Sequence, residues 1–227
     1  MFDPATILHL DNHLLVVRKP AGVLSQGDAT GDPDLLSMAK DYIKVRFEKP
    51  GEVFLGLVHR LDRPVSGVMV FARTSKAASR LSAQFKTRAI EKRYVALVEG
   101  HCTGEGTLVD HLWKDHRTVR SVGEGHPKGM QSELHWRAIG HRDGLTLLDV
   151  QPRSGRPHQI RVQLSQMGRP ITGDFKYRAK QRFDGRNLAL HSYRLAFAHP
   201  TQGETCVFSA GPPDTWPAWA RRLVEAL

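Results

Sequence analysis

His59-Arg60-Leu61-Asp62-Arg63-Pro64-Val65-Ser66-Gly67 is a charged knot between two apolar runs, Val53-Phe54-Leu55-Gly56-Leu57-Val58 before it and Val68-Met69-Val70-Phe71-Ala72 after it. β-Branched and aromatic residues crowd both runs, so each reads as a buried strand and the knot as the loop that joins them. Asp62 is the only carboxylate in the knot, and His59, Arg60 and Arg63 surround it. Positive neighbours keep an aspartate ionised, which makes Asp62 a candidate nucleophile or base. The competing reading is an aspartate that ties down its own loop.

Composition narrows the setting of that loop. The chain has 227 residues, of which 40% are apolar and 25% charged. That is enough to bury a core and too apolar for a disordered chain, and it reads as one domain over residues 1–227. Lys and Arg number 33 against 23 acidic residues, a net charge of +10. Such a surplus suits a polyanion, nucleic acid first, because neutralised phosphates release their counterions. It suits equally a basic surface that carries no chemistry. Cys102 and Cys206 stand far apart, in no paired-ligand spacing, which argues against a zinc site and a disulfide framework and for a reducing compartment. The first residues lack the basic start and apolar core of a signal peptide, and no run is long enough to cross a bilayer. The expectation is a cytoplasmic protein with no membrane partner.

Upstream of the knot, Ile7–Leu10 and Leu14–Val17 flank Asp11-Asn12-His13 and read as a hairpin that ends at Lys19-Pro20-Ala21-Gly22. Residues 34–47 repeat apolar side chains at helical spacing, with Leu35, Ala39 and Ile43 among them. Thr74 or Ser75 caps a second helix whose inner face is Ala77, Leu81 and Phe85. Glu91 to Gly100 alternates as a strand with Tyr94, Ala96 and Val98 on one side. Residues 101–143 give only short strand signals, at 106–109 and 131–136. Five of their histidines, at 111, 116, 126, 135 and 141, lack the spacing of a metal site.

Order returns with a strand at Leu145–Val150, and a helix starts at Ser154 or Gly155 and holds His158 to Met167. Its apolar stripe is Ile160, Leu164 and Met167, and its free N–H groups, with Arg153 and Arg156 beside them, suit a phosphate. Lys176, Arg178, Lys180, Arg182 and Arg186 follow as the most basic stretch, an RNA rail or a solvated loop. Strands at 188–197 and 206–209 and a terminal helix over 214–227, with Trp216, Trp219 and Leu223 inward, complete the chain.

Five segments together resemble one family. His59-Arg60-Leu61-Asp62-Arg63 with Ser66-Gly67 is similar to the signature loop of the RluA-type RNA pseudouridine synthases, and Lys19-Pro20-Ala21-Gly22 to their first motif. Lys92-Arg93-Tyr94-Val95-Ala96 with Gly100 resembles their second. Gly155-Arg156, then His158-Gln159-Ile160-Arg161, resembles their third, and Pro170-Ile171-Thr172-Gly173-Asp174 is also similar to a family loop. The chain departs from the family's usual residues at Arg18 (often Asn), Val65 (usually Thr), Ser154 (usually Thr) and Gln163 (often His).

The resemblance implies an α/β (α+β) pseudouridine synthase fold: a long bent mixed, mainly antiparallel sheet, flanking helices and a central basic cleft, with no S4 domain ahead of it. It implies an isomerase that turns a uridine in RNA into pseudouridine without cofactor or metal. Asp62 would be the nucleophile, attacking C1′ or assisting loss of the C2′ proton. Tyr94 would stack on the everted base, Arg161 would pair with Asp62, and Arg60 would fill the vacated stack. Leu190, Arg156 and His158 would complete substrate binding. The expected partner is RNA, ribosomal slightly ahead of transfer RNA, and the expected state a monomer with no obligatory protein partner. Two other readings compete: a catalytically silent RNA-binding or ribosome-assembly protein on the same fold, and a phosphodiesterase using His59 and His191.

Overall fold

A computed structural model describes residues 2–116 and 118–227. In chain order the elements are β1 (Ile7–Leu10), β2 (Leu14–Lys19), α1 (Leu35–Arg46), β3 (Gly56–Leu57), β4 (Ser66–Ala72), α2 (Ser75–Lys86) and β5 (Glu91–Glu99). There follow β6 (Glu105–Asp115), β7 (Thr118–Val122), β8 (Met130–Arg142), β9 (Leu145–Pro152), α3 (Gln159–Gln166), β10 (Leu190–Ala198), β11 (Thr205–Ser209) and α4 (Ala218–Glu225). The fold is α+β, as the sequence indicates. Its contacts divide into two compact units, residues 1–91 with 192–210 and residues 92–191 with 211–227.

In the first unit, β2 and β4 lie side by side and antiparallel, β1 pairs β2, and β11 pairs β10. Every residue of β4 is buried, so the strand reads as one continuous apolar run. Leu14, Val16, Val68, Val70 and Ala72 join Leu195 and Phe197 to form a core on which α2 lays Ala77 and Leu81. Each such aliphatic side chain contributes about 1.5–3 kcal/mol by leaving water. Thr74 caps α2 and Asp34 caps α1, each side chain accepting the N–H three residues on. Asp11 organises the first hairpin by accepting the N–H groups of His13 and Leu14, while His9 and His199 both bond its other oxygen at 3.0 Å. Although its burial works the other way, these bonds hold the carboxyl far below the usual carboxylate range.

The second unit is an antiparallel run in the order β5-β9-β8-β6-β7. Leu112, Val119, Val162 and Tyr177 make a small core that joins the β6–β7 hairpin to α3 and to a 3-10 turn at Phe175–Tyr177. At the other end, α4 sets Leu223 and Trp219 against Gly140, where a Cβ would meet Leu223 Cδ1 at 2.3 Å.

Three expectations need correction. The run Val53 to Val58 forms only the two-residue β3, paired to Phe71 and Ala72, because β4 gives one edge to β2 and much of the other to β10; Phe54 stays 51% exposed. Residues 101–143 are the long strands β6, β7 and β8, whose many His, Lys and Gly residues hide the two-residue period. The third helix starts later than Ser154, at Gln159. His158 precedes it in the left-handed region (φ 52°), and Gln159 through Leu164 are all buried, so no single stripe exists to read.

Gly67 is a position that the packing dictates. It pairs with Lys19 across β2 and β4, has φ 129°, and a Cβ there would lie 2.3 Å from the carbonyl oxygen of Ser192. Gly31 shares a positive φ but has open space around it. Gly31→Ala should cost about 1 kcal/mol from the backbone alone, whereas Gly67→Ala should cost at least about 3 kcal/mol or abolish folding. Urea denaturation of the two variants measures the difference, and equal losses would show that Ser192 yields freely.

Candidate active site

Asp62 stands half-buried on a loop that other backbone groups clamp from several sides. The Lys19 side chain is completely buried, and its Nζ donates to the carbonyl oxygens of Pro20 (3.0 Å), Val23 (2.6 Å) and Arg63 (3.2 Å). Gly22 N–H donates to Arg63 O at 2.8 Å, and Arg63 Nε returns a bond to Gly22 O at 2.9 Å. Ser25 Oγ donates to Leu61 O and accepts Leu61 N–H (2.7 and 3.2 Å), while Val65 N–H closes a turn onto Asp62 O at 3.0 Å. The first motif is thus the underside of the signature loop. Burial brings the Lys19 ammonium down to about 7, with Asp62 pulling it up and Arg63 pushing it down.

His59 and Arg60 take opposite roles. His59 stacks on Phe85 at 4.7 Å, and its Nε2 accepts the Val70 N–H at 3.0 Å, so the ring braces the loop against α2 and β4. Arg60 is exposed. Val65 is buried at 3%, so a methyl there packs where a threonine would bring a hydroxyl.

The remaining candidates lie in the second unit. Tyr94 is half-buried on β5 opposite Val150. Lys92, two residues earlier on the same face, donates from Nζ to Ser154 O at 3.0 Å and so ties the second motif to the third. Arg161 is buried, and Asp174 grips it with two parallel bonds, Nε to Oδ2 at 2.7 Å and Nη2 to Oδ1 at 2.8 Å. The guanidinium also lies over the Tyr177 ring at 5.1 Å. Tyr177 Oη accepts the Val119 N–H at 3.2 Å and bonds His158 Nδ1 at 2.7 Å. Among the described residues Arg156 Nε has no hydrogen-bond partner although it is buried, and Leu190 is only 4% exposed.

Asp174 and Tyr177 went unrecognised as site residues from sequence. Asp174 was visible only as the end of the Pro-Ile-x-Gly-Asp run, where nothing in the spacing connects it with Arg161. Gln163 also has a structural explanation: buried at 1%, its Nε2 donates to Leu108 O, Asp110 Oδ2 and Ser132 O. Ser154 serves Gln159, not a helix cap, by donating to its Oε1 at 2.9 Å.

A cavity of about 410 Å³ in this unit is lined by Arg93, His135, Arg137, Asp149 and Gln151 among others. Strand alternation sets Arg93 on the face of β5 away from Tyr94. Its charges satisfy one another, Asp149 holding Arg93 at 2.8 Å and Arg137 at 3.7 Å. Several histidines of residues 101–143 lie against different neighbours: His126 against Trp113, His135 against Thr107 and Glu133, and His141 against His101.

Two measurements check this framework. Lys19 has an ordinary value of 10.5 and a folded one near 7, so between those pH values the unfolded chain holds the extra proton. Its contribution to stability therefore rises with pH across that window and is level below it. Lys19→Met should lower stability by leaving three carbonyls without a donor, and should flatten that rise in urea denaturation. An unchanged slope would mean that another group titrates. Asp174→Asn breaks a buried ion pair and should cost about 3 kcal/mol in the same assay; a loss below about 1 kcal/mol would mean that water reaches Arg161.

The profile of the RNA pseudouridylate synthase family matches residues 13–166. Ribosomal large subunit pseudouridine synthase C of Vibrio cholerae is 35% identical over 202 residues, 86% of this chain and 61% of that protein. Ribosomal large subunit pseudouridine synthase D of Zymomonas mobilis is 33% identical over 224 residues, 93% of this chain and 70% of that one. The chain thus spans roughly two thirds of the length of these relatives. Among solved structures, Human RNA Pseudouridylate Synthase Domain Containing 4 superposes with a TM-score of 0.78 at 23% identity, covering 97% of this chain and 92% of that one, which bears on the fold alone. With the signature loop, the tyrosine strand and the arginine helix all present and built into ordered structure, the chain belongs to the RNA pseudouridylate synthase family, in its RluA-type branch.

Proposed function

We propose that the protein is an RNA pseudouridine synthase with Asp62 as nucleophile, acting on a uridine in ribosomal RNA in preference to transfer RNA. The observation that carries this reading is the loop clamp: a buried ammonium gathers three carbonyls so that one half-buried aspartate is held at the loop surface. A loop this constrained suits a carboxylate that must meet a ribose carbon at a fixed angle. The ribosomal preference rests on the names of the relatives, which are ribosomal large subunit synthases.

In this reading the uridine leaves its stack, Arg60 enters the gap, and Tyr94 stacks on the base. The bond from uracil N1 to ribose C1′ breaks, the base turns, C5 joins C1′, the C5 proton goes to solvent and N1 gains one. Arg161 orients Asp62 and keeps it ionised, a task for which the grip of Asp174 prepares it. Leu190 packs beside the base. His158 and Arg156 face the RNA backbone in the same reading. A monomeric state and a cytoplasmic setting belong to the same proposal. Among the described residues no helix is long and apolar enough to cross a membrane.

The two competing readings gain no support. His59 Nε2 is already an acceptor for Val70 N–H and His191 is fully buried, which suits neither to acid–base work on a phosphodiester. Val65 and Gln163, two departures from the family pattern, are accounted for by burial and by hydrogen bonds respectively.

Asp62→Asn should abolish tritium release from C5-labelled large-subunit ribosomal RNA while leaving RNA affinity unchanged. Turnover retained by that variant would remove Asp62 from the chemistry, and tritium release from labelled transfer RNA alone would reverse the order of substrates.

A further inference from the structure

The stretch after Asp174 has a regular construction that the reaction at Asp62 does not require. From Tyr177 to Lys180 buried and exposed side chains alternate, with Tyr177 and Ala179 only 9% and 8% exposed and Arg178 and Lys180 outward, and Phe175, Lys176 and Arg182 on either side are exposed as well. Phe175 is 55% exposed, a large aromatic ring left in water beside a line of cations.

The backbone beneath is fixed. The Glu99 carboxylate accepts the N–H groups of Lys180 (2.8 Å) and Gln181 (2.7 Å), Gly173 N–H donates to Gln181 O at 3.0 Å, and Tyr177 is bonded through its hydroxyl to β7 and to His158. Asp174 is neutralised by Arg161, and Glu99 turns its carboxylate to the backbone amides beneath the edge, so the exposed side chains of Lys176, Arg178, Lys180 and Arg182 give the outward side a net positive sign. A flexible basic tail attracts polyanions too, but it loses more conformational entropy on binding than an edge already held in place.

We propose that this edge is a second RNA-contacting site: an unpaired nucleotide flanking the modified uridine stacks its base on Phe175, and the backbone that follows runs along Arg178, Lys180 and Arg182. Phe175 adjoins the carboxylate that grips Arg161, so a strand whose target nucleotide reaches Arg161 arrives at Phe175 within a nucleotide or two. Stacking on an aromatic face is tolerant of base identity and requires an unpaired base. Cations that track the backbone add affinity without reading sequence. The site therefore selects RNA that is single-stranded beside its target uridine. This deepens the proposed function and rests on it for the identity of the target nucleotide.

Binding to two probes tests the site: an oligouridylate of about sixteen nucleotides, the upper end of the range for a stacking platform, and a fully paired RNA duplex of equal length. Phe175→Ala, at an exposed position, should weaken the oligouridylate about tenfold and leave the duplex unchanged. The double variant Lys180→Ala with Arg182→Ala should reduce the salt slope for the oligouridylate by about 1.4, at about 0.7 per lost phosphate contact. Equal losses on both probes, or no loss on the oligouridylate, would overturn stacking on Phe175, and an unchanged salt slope would overturn the rail. Tritium release from ribosomal RNA by the unmodified protein is scored separately. Its absence, with the binding pattern intact, would refute the proposed reaction and leave this site standing.

Discussion

A positive charge sealed inside the protein organises the Asp62 loop. An ammonium removed from water is costly unless hydrogen bonds replace those it loses, and here three carbonyl oxygens from two separate segments turn inward to supply them. The arrangement works in both directions. Carbonyls that converge on one point also need a donor, so the turn at 19–22 and the loop at 59–67 hold one another in a single conformation. Gly67 continues the same logic on β4, where a β-carbon would collide with the backbone of Ser192. Tight backbone approach on one side and a buried cation on the other leave the aspartate little freedom to move.

The second unit solves a related problem with a different charge. Arg161 is buried within α3 and keeps its direction because Asp174 engages it through a flat two-point contact that a lysine could not reproduce. A buried pair of this kind is weak evidence of stability, since desolvation offsets much of the attraction. Its value is geometric. The Tyr177 ring beneath the guanidinium and the hydrogen bonds of its hydroxyl to Val119 and His158 extend that geometry to β7 and to the start of α3.

Much of this was legible in the sequence where local chemistry decides the outcome. The hairpin around Asp11, both capped helices and the tyrosine strand follow from turn residues, capping residues and alternation, and they stand within a residue or two of their expected limits. What escaped was set by distant partners. Val53 to Val58 has the composition of a strand, but the free edge of β4 that it needs is taken elsewhere. Residues 105–142 pair over eight or more positions in β6, β8 and β9 although polar side chains mask their period. Asp174 is thirteen residues from Arg161 in sequence, and only the return of the chain past α3 makes them partners.

The departures from the family pattern fall on the supports of the proposed site and not on the groups proposed to react. At position 163 an amide replaces the frequent imidazole, and it still binds β6, β8 and α3 together: its Nε2 reaches three acceptors and its Oε1 accepts from Gln159. At position 65 a hydroxyl is exchanged for a methyl in a buried setting, where packing suffices and an unmatched polar group would be a liability. Both substitutions fall on side chains that face inward. The groups assigned to the reaction, Asp62, Tyr94 and Arg161, carry no such change. A motif position can therefore vary when its job is to fill space or satisfy neighbours, because other residues can meet those demands. In the proposed reaction a carboxylate at a ribose carbon has no substitute of equal reach and charge, and it is there that the chain retains the family residue.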